Sequence, residues 1–254
     1  METRKLLLKI AKKYPKKLKE SFDHVGHMIG PIPKITTKIL LLLDLDWESL
    51  PKVKEIKPDI IITHHPFIFG TKAKVFKHDL SKFQLAKEIE DMNIAVFSYH
   101  TNFDIAKDGM NDALASALGL ENIYIPEKEP MMRIGYLSSP LSIEEFCKKV
   151  KKDLEMNYGL LVNYGKNNIS KVGIIGGGGS RRWNIAQDEG CDIYISGDAP
   201  HYVRRDIVNN NFNYLDLPHE VEKIFMKKMK EVLLNIDNSL QIYCYDHEKL
   251  PVVI

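Results

Sequence analysis

The sequence predicts an α/β protein of two lobes, each built on a mainly parallel sheet flanked by helices. Three observations lead there. The chain has 254 residues, more than a typical single domain of roughly 100–200. Its composition, 44% hydrophobic and 28% charged, is that of a soluble globular protein and excludes disordered, collagenous and disulfide-scaffold classes. Continuous apolar runs alternate with segments of helical period, which is how a parallel sheet covered on both faces is written.

The elements follow in order. The first twenty residues hold eight Lys or Arg against two Glu, a local balance of +6 that leaves −4 for the remainder. They predict an amphipathic helix with an apolar stripe at Leu7, Leu8, Ile10 and Ala11, interrupted at Pro15. Its basic side reads first as a solvated helix face and second as a nucleic-acid or membrane patch. Lys38 to Asp44 (KILLLLD) reads as a buried strand, Trp47 to Ile56 as a short helix and Asp59 to Thr63 (DIIIT) as a second buried strand. Asp79 to Met92 is helical in period, Ile94 to Tyr99 (IAVFSY) is a third strand, and Met110 to Leu118 is a helix stopped by Gly119.

The second half repeats the rhythm. A strand over Arg133 to Leu137 precedes a helix opened by the capping box Ser142 and Glu145. Strands at Lys171 to Ile175, Asp192 to Ser196 and Tyr214 to Leu217 alternate with helices over Arg181 to Glu189 and from about Ala199. A last helix is predicted from His219 to Leu234 and a last strand from Leu240 to Tyr245. The polar, proline-flanked segment Tyr124 to Pro130 marks the join, giving lobes 1–125 and 126–254, with 214–254 returning His219 and Glu222 to a shared site.

The longest apolar run, Ile39 to Leu43, is far short of the roughly 18 residues that span a bilayer. A cytoplasmic protein with no membrane partner is expected. Cys147, Cys191 and Cys244 are odd in number and far apart, so neither a disulfide framework nor a thiolate zinc site is expected.

Histidines carry the chemistry. His64 and His65 directly follow the strand DIIIT, at the carboxyl edge where parallel sheets place ligands. The strand IAVFSY ends likewise in His100, with Asp104 four residues on, and Tyr214 to Leu217 runs into His219, Glu220 and Glu222. A single strand-end histidine ordinarily hydrogen-bonds a loop carbonyl; an adjacent pair plus two further His/Asp/Glu strand ends points instead to a metal site. Imidazole and carboxylate donors suit Zn, Mn, Fe or Co. The donors gathered at these strand ends exceed the three that an open catalytic zinc takes from protein, so two divalent ions are expected. Gly176 to Gly179 follow a strand and precede a helix. They read first as a tight turn and second as a phosphate-cradling loop through Gly177, Gly178 and Ser180, whereas the G-x-G-x-x-G dinucleotide pattern fails at Arg181.

The strings ITHHPFIF (Ile62 to Phe69), YHTNFDIAKDGMNDALASALGL (Tyr99 to Leu120), VGIIGGGGS (Val172 to Ser180) and DIYISGDAPHY (Asp192 to Tyr202) strongly resemble the Nif-three-like family. Its members are also described as GTP cyclohydrolase I type 2 homologs or dinuclear metal-centre proteins. FDHVGHMIG (Phe22 to Gly30) is similar to the family's W-D-N-x-G segment, with departures at Phe22 and His24. The resemblance implies a two-lobed α/β fold, a toroidal homohexamer, and a dinuclear site held by His64, His65, Asp104, His219 and Glu222. One histidine of the pair would go to each metal, with Glu222 bridging. PHEVEK stands where the family has G-H-x-x-T-E, which leaves Glu220 as the alternative to Glu222. His100 reads either as orienting the site without ligating or as a packed loop histidine, and His24 reads first as an ordinary loop residue and second as a donor to substrate near the site.

Two functions follow. One is a metal-dependent hydrolase of a nucleotide or phosphoester, like GTP cyclohydrolase I type 2 by resemblance. The other is a non-enzymatic metal-binding regulatory or nucleic-acid-binding ring, using the basic N-terminal helix, Lys148 to Lys152 and Lys227 to Lys230.

Overall fold

The computed structural model describes residues 1–252 and 254. In chain order the elements are α1 (Thr3–Lys13), β1 (Gly26–Ile29), β2 (Lys38–Leu42), α2 (Leu50–Ile56), β3 (Ile60–Thr63), α3 (Lys72–His78), α4 (Leu80–Asp91), β4 (Ala95–Ser98) and α5 (Thr101–Ile105). They continue as α6 (Met110–Ala117), β5 (Glu121–Tyr124), β6 (Arg133–Ser142), α7 (Ile143–Asp153), β7 (Leu160–Asn163), β8 (Asn168–Ile174), α8 (Trp183–Asp188) and β9 (Ile193–Gly197). The last are α9 (His201–Asn209), β10 (Asn213–Leu217), α10 (Ile224–Ile236) and β11 (Gln241–Cys244).

The chain forms two compact units, 1–106 with 225–249 and 107–224 with 250–254. The segment Tyr124 to Pro130, expected to join the lobes, lies inside the second unit on the way from β5 to β6. Within 214–254, β10 belongs to the second unit, whereas α10 after its first residue and β11 belong to the first.

The first unit holds a sheet of order β1-β4-β3-β2-β11. All its pairings are parallel except β1 with β4. Its central strands read KILLL, IIIT and AVFS and are buried on both faces, as continuous apolar strands must be when helices cover a parallel sheet. The register pairs Leu42 with Thr63 and Thr63 with Ser98, so the carboxyl ends of β2, β3 and β4 lie side by side. Helix α1 buries Thr3, Leu6 and Ile10, so that Ile10 of the expected stripe is buried while Leu8 is exposed. Residues 3, 6 and 10 fall on one helical face, whereas Leu8 projects away from it.

The second unit holds a sheet of order β5-β6-β8-β9-β10-β7. It is mixed rather than mainly parallel, because only β8–β9 and β9–β10 are parallel. The antiparallel β5 and β7 form its edges and are half exposed, so neither carries the apolar run that marks a buried strand. The predicted capping box at Ser142 and Glu145 opens α7, and Gly119, at φ +66°, follows α6. The helix predicted from His219 begins instead as a 3₁₀ turn over His219–Lys223, with α10 starting at Ile224.

Candidate metal centre

In the first unit, His64 and His65 extend β3 beyond its last strand residue. Their amides still donate to Leu42 O (3.2 Å) and Leu43 O (3.1 Å), which fixes both at the end of the ladder. The Thr63 hydroxyl donates to His65 O (2.7 Å) and pairs with the Ser98 hydroxyl (2.7 Å), tying the ends of β3 and β4 together. Beyond β4, His100 caps the short helix α5, and the Asp104 amide donates to His100 O (3.1 Å). The four-residue spacing therefore places His100 and Asp104 on one helical face.

The three rings meet. Centroids lie 5.1 Å apart for His64–His65, 5.2 Å for His64–His100 and 5.6 Å for His65–His100. One ring nitrogen from each falls within 4.8 Å of the others. Asp104 Oδ1 lies 3.6 Å from His64 Nε2, and both side chains are buried. Phe225 closes one side of His64 at 5.0 Å between ring centroids.

Each ring is held by its Nδ1–H. His64 donates to Tyr99 O (2.9 Å), His65 to Asp44 Oδ2 (2.7 Å) and His100 to Asp23 Oδ1 (2.8 Å). An imidazole that donates from Nδ1 keeps the lone pair on Nε2, and an oxygen acceptor behind a histidine is the usual partner arrangement of a metal ligand. Burial acts to raise the Asp23 carboxyl, but hydrogen bonds from His100, Thr101 and the His24 amide outweigh it and hold the pKa down to about 2. Asp23 is thus a fixed anion behind His100. These donors fit a divalent metal ion.

In the second unit, the 3₁₀ turn explains how His219 and Glu222 meet, since residues i and i+3 eclipse in that geometry. His219 Nε2 stands 3.0 Å from Glu222 Oε2, and its Nδ1–H donates to Asp198 Oδ2 (2.6 Å). The hydrogen bond with Glu222, opposed by burial and assisted by Asp198, raises the His219 pKa to about 9. In the metal-free chain His219 is an imidazolium between two carboxylates, a position a divalent cation can take once that proton leaves. Glu222 is buried, while Glu220 is only partly covered, so the geometry favours Glu222 as the donor beside His219.

Gly177 makes room for this pair. At φ +62° it adopts a conformation that suits glycine, and a Cβ there would meet Glu222 Oε1 at 2.0 Å. Its carbonyl accepts from the amides of Gly179 (2.8 Å) and Gly197 (2.7 Å) and from the Ser196 hydroxyl (3.0 Å). The glycine run is therefore the tight turn expected first. Gly178, Ser180 and Arg181 line a cleft of about 230 Å3 that also includes Asp198, an unfavourable neighbour for phosphate.

The Duf34/NIF3 (NGG1p interacting factor 3) family model matches residues 1–251. The chain belongs to the Duf34/NIF3 family. A GTP cyclohydrolase 1 type 2 homolog of Lactococcus lactis is 30% identical over 249 residues, covering 96% of this chain and 95% of the relative. A protein of the same description from Methanocaldococcus jannaschii is 28% identical over 222 residues, covering 86% and 89%. Among solved structures, a Bacillus cereus protein related to NIF3 superposes with a TM-score of 0.87 at 20% identity, covering 100% of this chain and 99% of the other. The structure described as reduced HcgD from Methanocaldococcus jannaschii gives 0.81 at 26% identity, covering 96% and 97%.

Of the residues singled out in sequence, this Duf34/NIF3 chain gathers His64, His65, His100 and Asp104 in one unit and His219 and Glu222 in the other. His24 follows Asp23 directly, its amide donating to Asp23 Oδ1 (2.7 Å), the oxygen that also accepts from His100, and its ring lying 5.4 Å from that of Phe69. The sequence reading missed the oxygens behind the histidines at Asp44 and Asp23. One signal existed: Asp44 ends the run KILLLLD beside DIIIT, a further carboxylate at a strand end. Among the described residues, no helix is long and apolar enough to cross a membrane.

Proposed function

We propose that this Duf34/NIF3 protein holds two divalent metal ions through His64, His65, Asp104, His219 and Glu222 and hydrolyses a nucleotide or phosphoester. The observation that carries the reading is that His64, His65 and His219 each spend Nδ1–H on an oxygen acceptor, the arrangement that presents Nε2 to a metal. Bound divalent ions supply Lewis acidity that makes hydroxide available near neutral pH and polarises a phosphoryl or ring carbon–nitrogen centre.

The chain's own residues do the rest. Asp44 and the Tyr99 carbonyl hold the paired rings, and Asp104 brings carboxylate charge to His64. Asp23 keeps His100 oriented beside the pair, where it positions rather than ligates. The relatives' description as GTP cyclohydrolase 1 type 2 homologs supports a nucleotide as substrate. The nucleic-acid alternative draws less support, because Lys149 and Lys228 are paired with Asp153 (2.6 Å) and Glu231 (3.2 Å) on their own helices.

The test is a screen of nucleotides and phosphoesters against protein loaded with Mn, Zn, Co or Fe(II). Turnover that requires the ion and disappears in His64→Ala is expected. Fully metallated, folded protein with no turnover on any of them would remove the hydrolase assignment.

A further inference from the structure

The first unit contains a second concave feature that the metal ligands do not use. It is a cleft of about 400 Å3 whose lining includes Lys16, Lys19, Lys72, His24, His27 and Asp23. That volume is within the range of small-molecule sites. We infer that it is the binding subsite for a small phosphorylated molecule carrying an aromatic ring, of the nucleoside monophosphate class. The inference deepens the hydrolase reading and rests on it for the reaction, but not for the binding.

The charge in the cleft is suited to an anion. The Lys16 ammonium makes no hydrogen bond or ion pair among the described residues, and its Nζ lies 2.5 Å from the position that a Cβ on Gly26 would take. Gly26, at φ +98°, thus clears the place where that ammonium sits. Lys19 is anchored by donating to Asp23 O (2.7 Å) and Glu20 O (3.2 Å), neutral acceptors that leave its charge uncompensated and one N–H to give. Lys72 has only a long, half-exposed contact with Glu90 (3.9 Å). Buried within His24 is an Nδ1 with no hydrogen-bond partner.

Asp23 is the one carboxylate in this lining, and three lysines outnumber it. It is buried, and its oxygens accept from His100 Nδ1, the His24 and Thr101 amides and the Thr101 hydroxyl. Through that same carboxylate the cleft adjoins His100, which places a bound phosphorylated molecule next to the histidine cluster.

The aromatic part has a partner too. Phe22 and Phe69 are 58% and 53% exposed, unusual for phenylalanine, and their rings lie 6.4 Å apart. Each is flanked in sequence by residues that line the cleft, Ser21 on one side and Ile68 and Gly70 on the other. Exposed rings in the same two chain segments as the lining offer a surface on which a base can stack, while the lining lysines can hold its phosphate. Three lysines line a single cleft of this volume, which suits a mononucleotide better than a polymer.

Calorimetric titration of the metal-loaded full chain with guanosine 5′-monophosphate, and separately with inorganic phosphate, tests the inference. Lys16→Ala and the double variant Lys16→Ala/Lys19→Ala should weaken both ligands, the double by tenfold or more, with metal content unchanged. Phe69→Ala should weaken the nucleotide at least fivefold and leave phosphate unaffected. Wild-type affinity in the lysine variants, or no nucleotide binding to the wild type, would overturn the subsite. Equal effects of Phe69→Ala on both ligands would overturn the stacking. A single-stranded oligonucleotide binding far more tightly than the mononucleotide, with a steep salt dependence, would replace the small ligand by nucleic acid. Nucleotide binding that persists without turnover would refute the hydrolase reading alone, and turnover indifferent to the lysine variants would refute the subsite alone.

Discussion

Replacing Gly177 with alanine isolates the seat of Glu222. The new Cβ would lie 2.0 Å from Glu222 Oε1, 2.7 Å from its Cδ and 3.2 Å from His219 Cε1, so the carboxylate must move by more than an ångström. Backbone strain at φ +62° costs about 1–2 kcal/mol and overpacking about 1–3 kcal/mol, and relief by the displaced carboxylate puts the sum at about 2–4 kcal/mol. For a chain of this size that lowers Tm by about 4–16 °C. Gly190 supplies the control, since its φ is +74° but an added Cβ meets nothing within 4 Å. Gly190→Ala should therefore cost only the strain, about 1–2 kcal/mol. Thermal melts and elemental analysis of both variants check the reasoning: Gly177→Ala should lose stability beyond the control and also lose metal, whereas Gly190→Ala keeps its metal. A Gly177→Ala protein that melts with Gly190→Ala and retains full metal would refute it.

Three further outcomes are expected. Asp104→Asn should lose more metal than His100→Ala, because a ligating carboxylate neutralises ionic charge while an orienting imidazole does not; equal losses, read by elemental analysis, would make His100 a ligand. His219, raised to about 9 by Glu222, contributes stability to the metal-free chain that is complete below its unfolded value near 6.5 and disappears as pH rises through about 9. Metal affinity must run the opposite way, rising about tenfold per pH unit across that window as one proton is displaced, and a chelator competition that shows no pH dependence would contradict the assignment. From the family resemblance a homohexamer is expected, and light scattering that gives a monomer mass at micromolar concentration would exclude it.

Legibility in the sequence followed burial. KILLLLD, DIIIT and IAVFSY are unbroken apolar runs because both faces of β2, β3 and β4 are covered, so the strand ends and the histidines attached to them were readable. The edge strands β5 and β7 are half exposed and carry no such run. The 3₁₀ turn at His219 looks like α-helix in the sequence because both geometries bring residues three apart together. Asp44, Asp23 and Asp198 escaped notice as partners of His65, His100 and His219, which lie 21, 77 and 21 residues away. Only the fold brings such pairs together, and a single aspartate has no local pattern to announce it.

Metal stoichiometry decides whether the chain holds two ions. Elemental analysis of purified protein, saturated with one divalent ion and freed of excess, should give two ions per chain. The count should fall in His64→Ala, His65→Ala and Glu222→Gln while the variants remain folded. One ion or none in the saturated wild type, or two ions retained in all three variants, would contradict the account.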